Sequence, residues 1–134
     1  MTDPSATGPD GTPMDAPVPR LLCDIRALTD IAPESAGAVW KLAESGRQLD
    51  ANLIRLPTLQ RVDTHTEPDL DVLLLVLTGD GILGSPDGPR RLTEGTLLWL
   101  PRGSTRSVTA GEDGLSYLTV HKRRPGMRIG RHTG

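Results

Sequence analysis

The chain has 134 residues, a formal net charge of -2 and one cysteine. This length predicts a single domain, and the nearly balanced charge argues against nucleic acid as a partner. A lone cysteine excludes an internal disulfide. No apolar stretch is long enough to span a bilayer or to act as a secretory signal, so the sequence predicts a cytoplasmic protein without membrane contact. The 15 glycines and 12 prolines favour short strands joined by turns over long helices.

Both ends of the chain are predicted to lie outside the folded domain, which we place at residues 20–122. Residues 1–19 are rich in Pro, Gly, Asp, Thr and Ser and cannot bury enough apolar surface to offset their ordering entropy, so we predict a disordered arm. Residues 21–31 are more apolar and are expected to pack as an arm or a short turn. Residues 123–134 are basic and predict a flexible, solvated tail.

The first part of the domain, residues 33–45, is compatible with two structures. Its alanines and Glu34 suit a helix. The apolar run over residues 39–42 and the turn residues 44–46 instead suit a hairpin with residues 48–56, and we favour the hairpin.

From residue 50 onward, short apolar segments alternate with turn residues, a rhythm typical of a sandwich or barrel. The run over residues 71–78 predicts a strand buried on both faces. We expect residues 79–81 to form a turn and residues 111–114 to close a final hairpin. The strands predicted in this region cover residues 53–56, 61–67, 71–78, 82–83, 90–92, 96–100, 106–110 and 115–121.

One segment carries a specific spacing of turn residues. Gly95, Pro101 and Gly103 follow the pattern G-x5-P-x-G, in which Gly95 ends a turn, Pro101 stops a strand and Gly103 permits a tight bend. This spacing resembles the second motif of the cupin family, G-x5-P-x-G-x2-H-x3-N. Arg106 stands at the position of the motif's histidine, and Ala110 at that of its asparagine.

An upstream segment resembles the first cupin motif, G-x5-H-x-H-x3,4-E-x6-G. His65 matches the first histidine, and Glu67 stands at the position of the second. Asp71 takes the position of the acid if three residues intervene. If Gly79 sets the register instead, Val72 takes that position and Asp71 faces the other way, because strand side chains alternate.

The resemblance covers roughly residues 50–121, although Leu59 stands where the first motif begins with glycine. It implies a small single-domain cupin, an all-β barrel of jelly-roll type. Cupins commonly pair through sheet edges or by exchange of N-terminal strands, so we expect a homodimer, and residues 21–31 would suit such an exchange. Because cupins include enzymes, storage proteins and sensors, the fold implies no particular activity.

In typical cupins, histidines and a glutamate hold a divalent metal inside the barrel. Here His65, Glu67 and Asp71 could form a set of one imidazole and two carboxylates for Fe, Mn, Ni or Zn. Arg106 would place a fixed positive charge beside that cation, and a guanidinium cannot become a ligand.

The alternative needs no metal cofactor. Arg106 could pair with Glu67 or Asp71, in a cluster that is either structural or a receptor for a small anionic ligand. We favour this alternative, and therefore a non-catalytic cupin, ligand-binding or structural, whose ligand pocket contains His65, Glu67, Asp71 and Arg106. A metal-dependent oxygenase or isomerase that uses His65, Glu67 and Asp71 remains the second hypothesis. A regulator that binds a partner through its charged ends is the third. The sequence assigns no catalytic residue.

Overall fold

The computed structural model describes residues 17–29 and 35–124. These residues confirm the predicted all-β fold. Most of the predicted disordered arm and the tail beyond residue 124 lie outside the described residues. The elements, in chain order, are α1 (Ile25–Thr29), β1 (Gly37–Lys41), β2 (Leu49–Leu56), β3 (Arg61–Thr66), β4 (Val72–Gly84), β5 (Arg90–Thr93), β6 (Leu97–Leu100) and β7 (Thr105–Lys122).

The strands form one antiparallel seven-stranded sheet in the order β1-β2-β7-β4-β5, with β3 added to β7 and β6 added to β4. Strand β7 pairs with β3 through residues 105–109 and with β2 through residues 115–122. Strand β4 pairs with β6 through residues 72–75 and with β5 through residues 80–83. Each long strand therefore changes its partner on one edge midway along its length.

The two turns predicted at residues 79–81 and 111–114 are wrong, because β4 and β7 each continue through them. Gly79 pairs with Leu115 and Gly81 with Ala110, so residues 111–114 are extra residues opposite Asp80. They form a bulge, which bends a strand without ending it. Glycine is needed here for close approach: Gly79 has a φ of +80°, and a Cβ on it would collide with the carbonyl oxygen of Gly114.

The core is aliphatic, as the scarcity of aromatic residues requires. Strand β4 directs Leu74 and Val76 into it, whereas Leu73, the residue before Leu74, is exposed, so the predicted burial of both faces is wrong at Leu73. Burial raises the pKa of Tyr117, an aromatic residue of the core, to about 12. The buried cluster consists of Leu56, Val72, Leu74, Val76, Leu83, Leu92, Leu100, Val108, Ala110, Leu115 and Tyr117.

The start of the described domain confirms the hairpin that we favoured for residues 33–45, since β1 pairs antiparallel with β2. The apolar segment before it contains α1, a helix with no buried residue. No helix among the described residues is long and apolar enough to cross a membrane. At the other end, the amide of Arg123 donates to the carbonyl of Gln48 at 2.9 Å, so the pairing of β7 with β2 extends past the predicted domain end at residue 122.

A turn between β2 and β3 holds a leucine in a conformation that favours glycine. Leu59 has a φ of +61° and is 66% exposed. The amide of Gln60 donates to the carbonyl of Pro57 at 2.9 Å, which places Leu59 third in a four-residue turn. That position commonly takes glycine when its φ is positive. Leu59 stands where the first cupin motif begins with glycine, the residue that a positive φ favours.

We predict that Leu59→Gly raises the free energy of unfolding by about 0.5–1 kcal/mol. The left-handed conformation costs a non-glycine residue roughly 1–2 kcal/mol, which glycine would not lose. Glycine also makes the unfolded chain more flexible, and this lowers the stabilisation by about 0.5–1 kcal/mol. Urea unfolding measures the difference. Leu59→Ala is the control, because alanine keeps the strain; equal stabilisation by both variants would contradict this explanation.

Candidate functional site

Arg106 is a buried cation near the start of β7. Strand alternation places it on the same side as Val108 and Ala110 of the core, and only 6% of the residue is exposed. Its Nη1 atom donates to the carbonyl oxygen of Ser104 at 3.4 Å and to the Ser104 hydroxyl at 3.2 Å. These two contacts orient the guanidinium without neutralising it.

Among the described residues, no carboxylate lies within ion-pair distance of Arg106. The pairing with Glu67 or Asp71 that the sequence suggested is not made, because each carboxylate has another arginine partner. Burial lowers the pKa of the Arg106 guanidinium, and the charge of Glu67 acts in the opposite direction. Glu67 is thus close enough to act on Arg106 through its field, although the two side chains do not bond.

Glu67 follows β3 and is buried. Its Oε1 accepts a hydrogen bond from Nη2 of Arg124, and its Oε2 accepts one from the amide of Asp69 at 3.0 Å. The bond from Arg124, followed by that from Asp69, holds the pKa of the Glu67 carboxyl below its usual value. Glu67 is therefore ionised at neutral pH, with both oxygens in use.

Asp71 lies just before β4 and points away from the barrel interior. Its Oδ1 accepts the amide of Arg102 at 2.9 Å, and its Oδ2 lies 3.3 Å from Nη1 of Arg102. Val72, the next residue, is in the core. Of the two registers considered for the first motif, the structure matches the one in which Val72 takes the acid position.

His65 lies opposite Arg106 in the β3–β7 ladder, but its side chain is exposed. Its Nδ1 lies 3.0 Å from the carbonyl oxygen of Asp63. Over residues 17–29 and 35–124, no group of three or more His, Cys, Asp and Glu side chains is arranged to hold a metal ion. In this structure His65, Glu67 and Asp71 are not grouped as metal ligands, and the carboxylates of Glu67 and Asp71 are engaged by Arg124 and Arg102.

A cleft of about 480 Å³ lies beside Arg106. Leu83 of β4 and Leu98 and Leu100 of β6 contribute apolar lining. The turn between β4 and β5 and the segment after β6 contribute polar side chains. Those that line the cleft are Ser85, Asp87, Arg90, Ser104, Thr105 and Arg106.

Sequence reasoning identified Arg106 but missed the cleft wall formed by the turn between β4 and β5. Ser85 and Asp87 were recognisable as turn residues, yet nothing in their local pattern placed them beside Arg106. The pairing of Gly84 with Ser107 brings the two segments together. The sequence signal for that proximity was the glycine-rich stretch in β4, which was interpreted as a turn.

No family model matches the sequence, and no curated protein matches it. Solved structures resemble the fold. A protein from Bacillus halodurans has a TM-score of 0.65 and 16% identity, covering 85% of this chain and 88% of that chain. A sugar phosphate isomerase from a cupin superfamily, from Silicibacter pomeroyi, has a TM-score of 0.55 and 23% identity, covering 59% of this chain and 53% of that one. KdgF from a Halomonas species has a TM-score of 0.57 and 17% identity, and the match covers 64% of this chain and 77% of that chain.

These likenesses show that the chain has the cupin fold, which confirms the fold that its motif spacing predicted. The chain spans little more than half of the Silicibacter isomerase, 53% of its length. At identities of 23% or less, the likenesses show the fold alone and assign no activity.

We predict that Asp71 is structural. Asp71→Ala removes the acceptor for the Arg102 amide and should lower the free energy of unfolding by about 1 kcal/mol. Arg102→Gln removes only the exposed ion pair and should cost less than about 0.5 kcal/mol. Urea unfolding of both variants checks the order of the two effects. Equal losses would show that the ion pair, rather than the bond to the backbone, is what Asp71 supplies.

Proposed function

We propose that this chain is a non-catalytic cupin that binds a small anionic ligand in the cleft beside Arg106. The observation that carries the proposal is the burial of the Arg106 guanidinium without a carboxylate partner among the described residues. Arg106 stands where the second cupin motif has a metal-binding histidine. At this position, a residue that binds a metal cation would thus have been replaced by one that itself carries a positive charge.

The cost of burying an unpaired charge supports an anion as the ligand. A buried ion loses several kcal/mol of hydration unless a partner compensates for it. Ser104 satisfies Nη1, whereas Nε and Nη2 of Arg106 have no acceptor among the described side chains and backbone. Only 6% of Arg106 is exposed, yet no nitrogen or oxygen of a described side chain is both buried and unsatisfied, so these two donors keep some contact with solvent, through which an anion could reach them. A carboxylate could accept from both in a bidentate contact.

The other residues of the cleft support binding more than catalysis. Leucines provide an apolar wall, and the hydroxyls of Ser104 and Thr105 lie next to Arg106 in the chain. Asp87, a carboxylate of the lining, is exposed on a turn, which leaves it a solvated group. A ligand with one acidic group and an apolar body would match these surroundings.

The second hypothesis, a metal-dependent oxygenase or isomerase that uses His65, Glu67 and Asp71, draws support from the likeness to the Silicibacter isomerase. It requires Glu67 to leave Arg124 and Asp71 to leave Arg102. Metal analysis of protein purified without a histidine tag separates the two hypotheses. A stoichiometric transition metal that is lost in His65→Ala would support the enzyme and contradict the anion site.

We predict that Arg106→Gln weakens the binding of benzoate, our probe anion, about 10- to 100-fold, because a hydrogen bond to a charged group contributes about 1.5–3 kcal/mol. Isothermal titration calorimetry measures the affinity, with acetate and inorganic phosphate as further anions. Benzamide, which has the same ring without the charge, should bind much more weakly.

The matched control is Arg91→Gln, which removes the same charge from an exposed neighbour of Arg90 that does not line the cleft. It should change the benzoate affinity less than about twofold, as expected for a distant, screened charge. The proposal is wrong if none of the three anions binds to the native protein, or if both variants weaken binding equally.

We also propose that the chain forms a homodimer through the open edge of β6 and the exposed apolar side chains beside it. Trp99 of β6 pairs with Leu73 of β4, and Leu97 with Leu75. Trp99 is 59% and Leu97 64% exposed. Within the described part of the chain, β6 pairs only with β4, so one backbone edge is open to a further strand. Exposed apolar edge strands tend to pair with a strand of another chain. Antiparallel pairing of β6 with β6 of a second copy is compatible with a two-fold symmetric dimer.

We predict that Trp99→Arg makes the protein monomeric. Size-exclusion chromatography with light scattering should give twice the chain mass for the native protein and for Leu59→Lys, which changes an exposed leucine outside this face. A native protein that is monomeric at about 100 μM would rule out a stable dimer.

A further inference from the structure

We infer that Arg124 keeps Arg106 available to an anion by holding the carboxylate of Glu67, so that a contact beyond the end of β7 controls binding in the cleft. This inference deepens the proposed function and rests on it. It assigns a positioning role to an arginine that the sequence placed in a flexible tail.

The carboxylate of Glu67 feels the charge of two guanidinium groups, those of Arg124 and Arg106, but bonds only to Arg124. Oε1 accepts from Arg124, and Oε2 accepts from the amide of Asp69. The carbonyl oxygen of Glu67 accepts the amide of Gly103, a residue of the cleft lining, at 2.6 Å. The backbone of Glu67 is therefore fixed at the cleft wall, while the carboxylate is directed to Arg124 instead of Arg106.

Arg124 is held in place through its backbone. The bond from the Arg123 amide to the carbonyl of Gln48 continues the β2–β7 ladder, and the Arg124 amide lies 3.4 Å from Oδ2 of Asp50. The side chain of Arg124 is 56% exposed, and its guanidinium is the part that contacts Glu67. Its position depends on chain segments that do not line the cleft.

The charges explain why this contact matters for binding. The two guanidiniums of Arg106 and Arg124 and the carboxylate of Glu67 have a net charge of one positive unit. An anion in the cleft neutralises this charge. Without Arg124, Glu67 and Arg106 form a neutral set. The Glu67 side chain is only 10% exposed and cannot turn fully to water. It then becomes an internal carboxylate that competes with the ligand for Arg106.

Benzoate titrations of four proteins test the inference: native, Arg124→Gln, Glu67→Gln and Glu67→Gln/Arg124→Gln. Arg124→Gln should weaken binding about tenfold, the size of a coupling between contacting charged groups. The double variant should bind as tightly as the native protein or more tightly, since no competing carboxylate remains. Arg123→Gln is the matched control, because it removes the same charge one residue away without a bond to Glu67, and it should leave the affinity nearly unchanged.

Equal weakening by Arg124→Gln in the presence and absence of Glu67 would overturn the inference, because Arg124 would then act on the anion without Glu67. A second measurement does not depend on binding. Hydrogen exchange at Nε of Arg106, followed by NMR, should slow in Arg124→Gln as Glu67 pairs with Arg106. If no anion binds to the native protein, the proposed function fails, whereas unchanged exchange at Arg106 contradicts the positioning role itself.

Discussion

The antiparallel pairing of β4 with β7 runs from Val72 opposite His121 to Gly84 opposite Ser107, and the other strands attach to these two directly or through β2. The bulge in β7 ends where Gly79 approaches Gly114, a contact that leaves no space for a Cβ. A bulge bends its strand, which helps one sheet to curve around an aliphatic core. The pairing of β4 with β7 also brings the turn after β4 next to the start of β7, so the cleft beside Arg106 is a consequence of it.

Within this frame, the main electrostatic problem is the burial of Arg106. The two carboxylates expected to neutralise it are held by Arg102 and Arg124. These arginines follow the ends of β6 and β7, and their side chains are largely exposed. The barrel thus has a guanidinium at the position where the motif that this segment resembles has a histidine. An external anion is the simplest partner for such a charge, which connects the substitution at Arg106 to binding in the cleft.

The spacing of Gly95, Pro101 and Gly103 was sufficient to predict the fold and the position of Arg106, because those residues act locally on the backbone. The glycines of β4 misled the prediction, since the same residue permits a turn or a close contact between strands. The partner of Glu67 could not be predicted, because Arg124 lies 57 positions away and meets it only in the folded chain, through pairings of β7 with other strands. Local signals therefore identify the elements, and long-range register decides which charges meet.

A crystal structure of the protein with benzoate tests the central claim most directly. The account predicts that the carboxylate of benzoate lies within hydrogen-bond distance of Nε and Nη2 of Arg106, with its ring against the leucines of the cleft and Glu67 still bound to Arg124. Benzoate bound away from Arg106, Glu67 paired with Arg106, or a metal ion held by His65, Glu67 and Asp71 would contradict it.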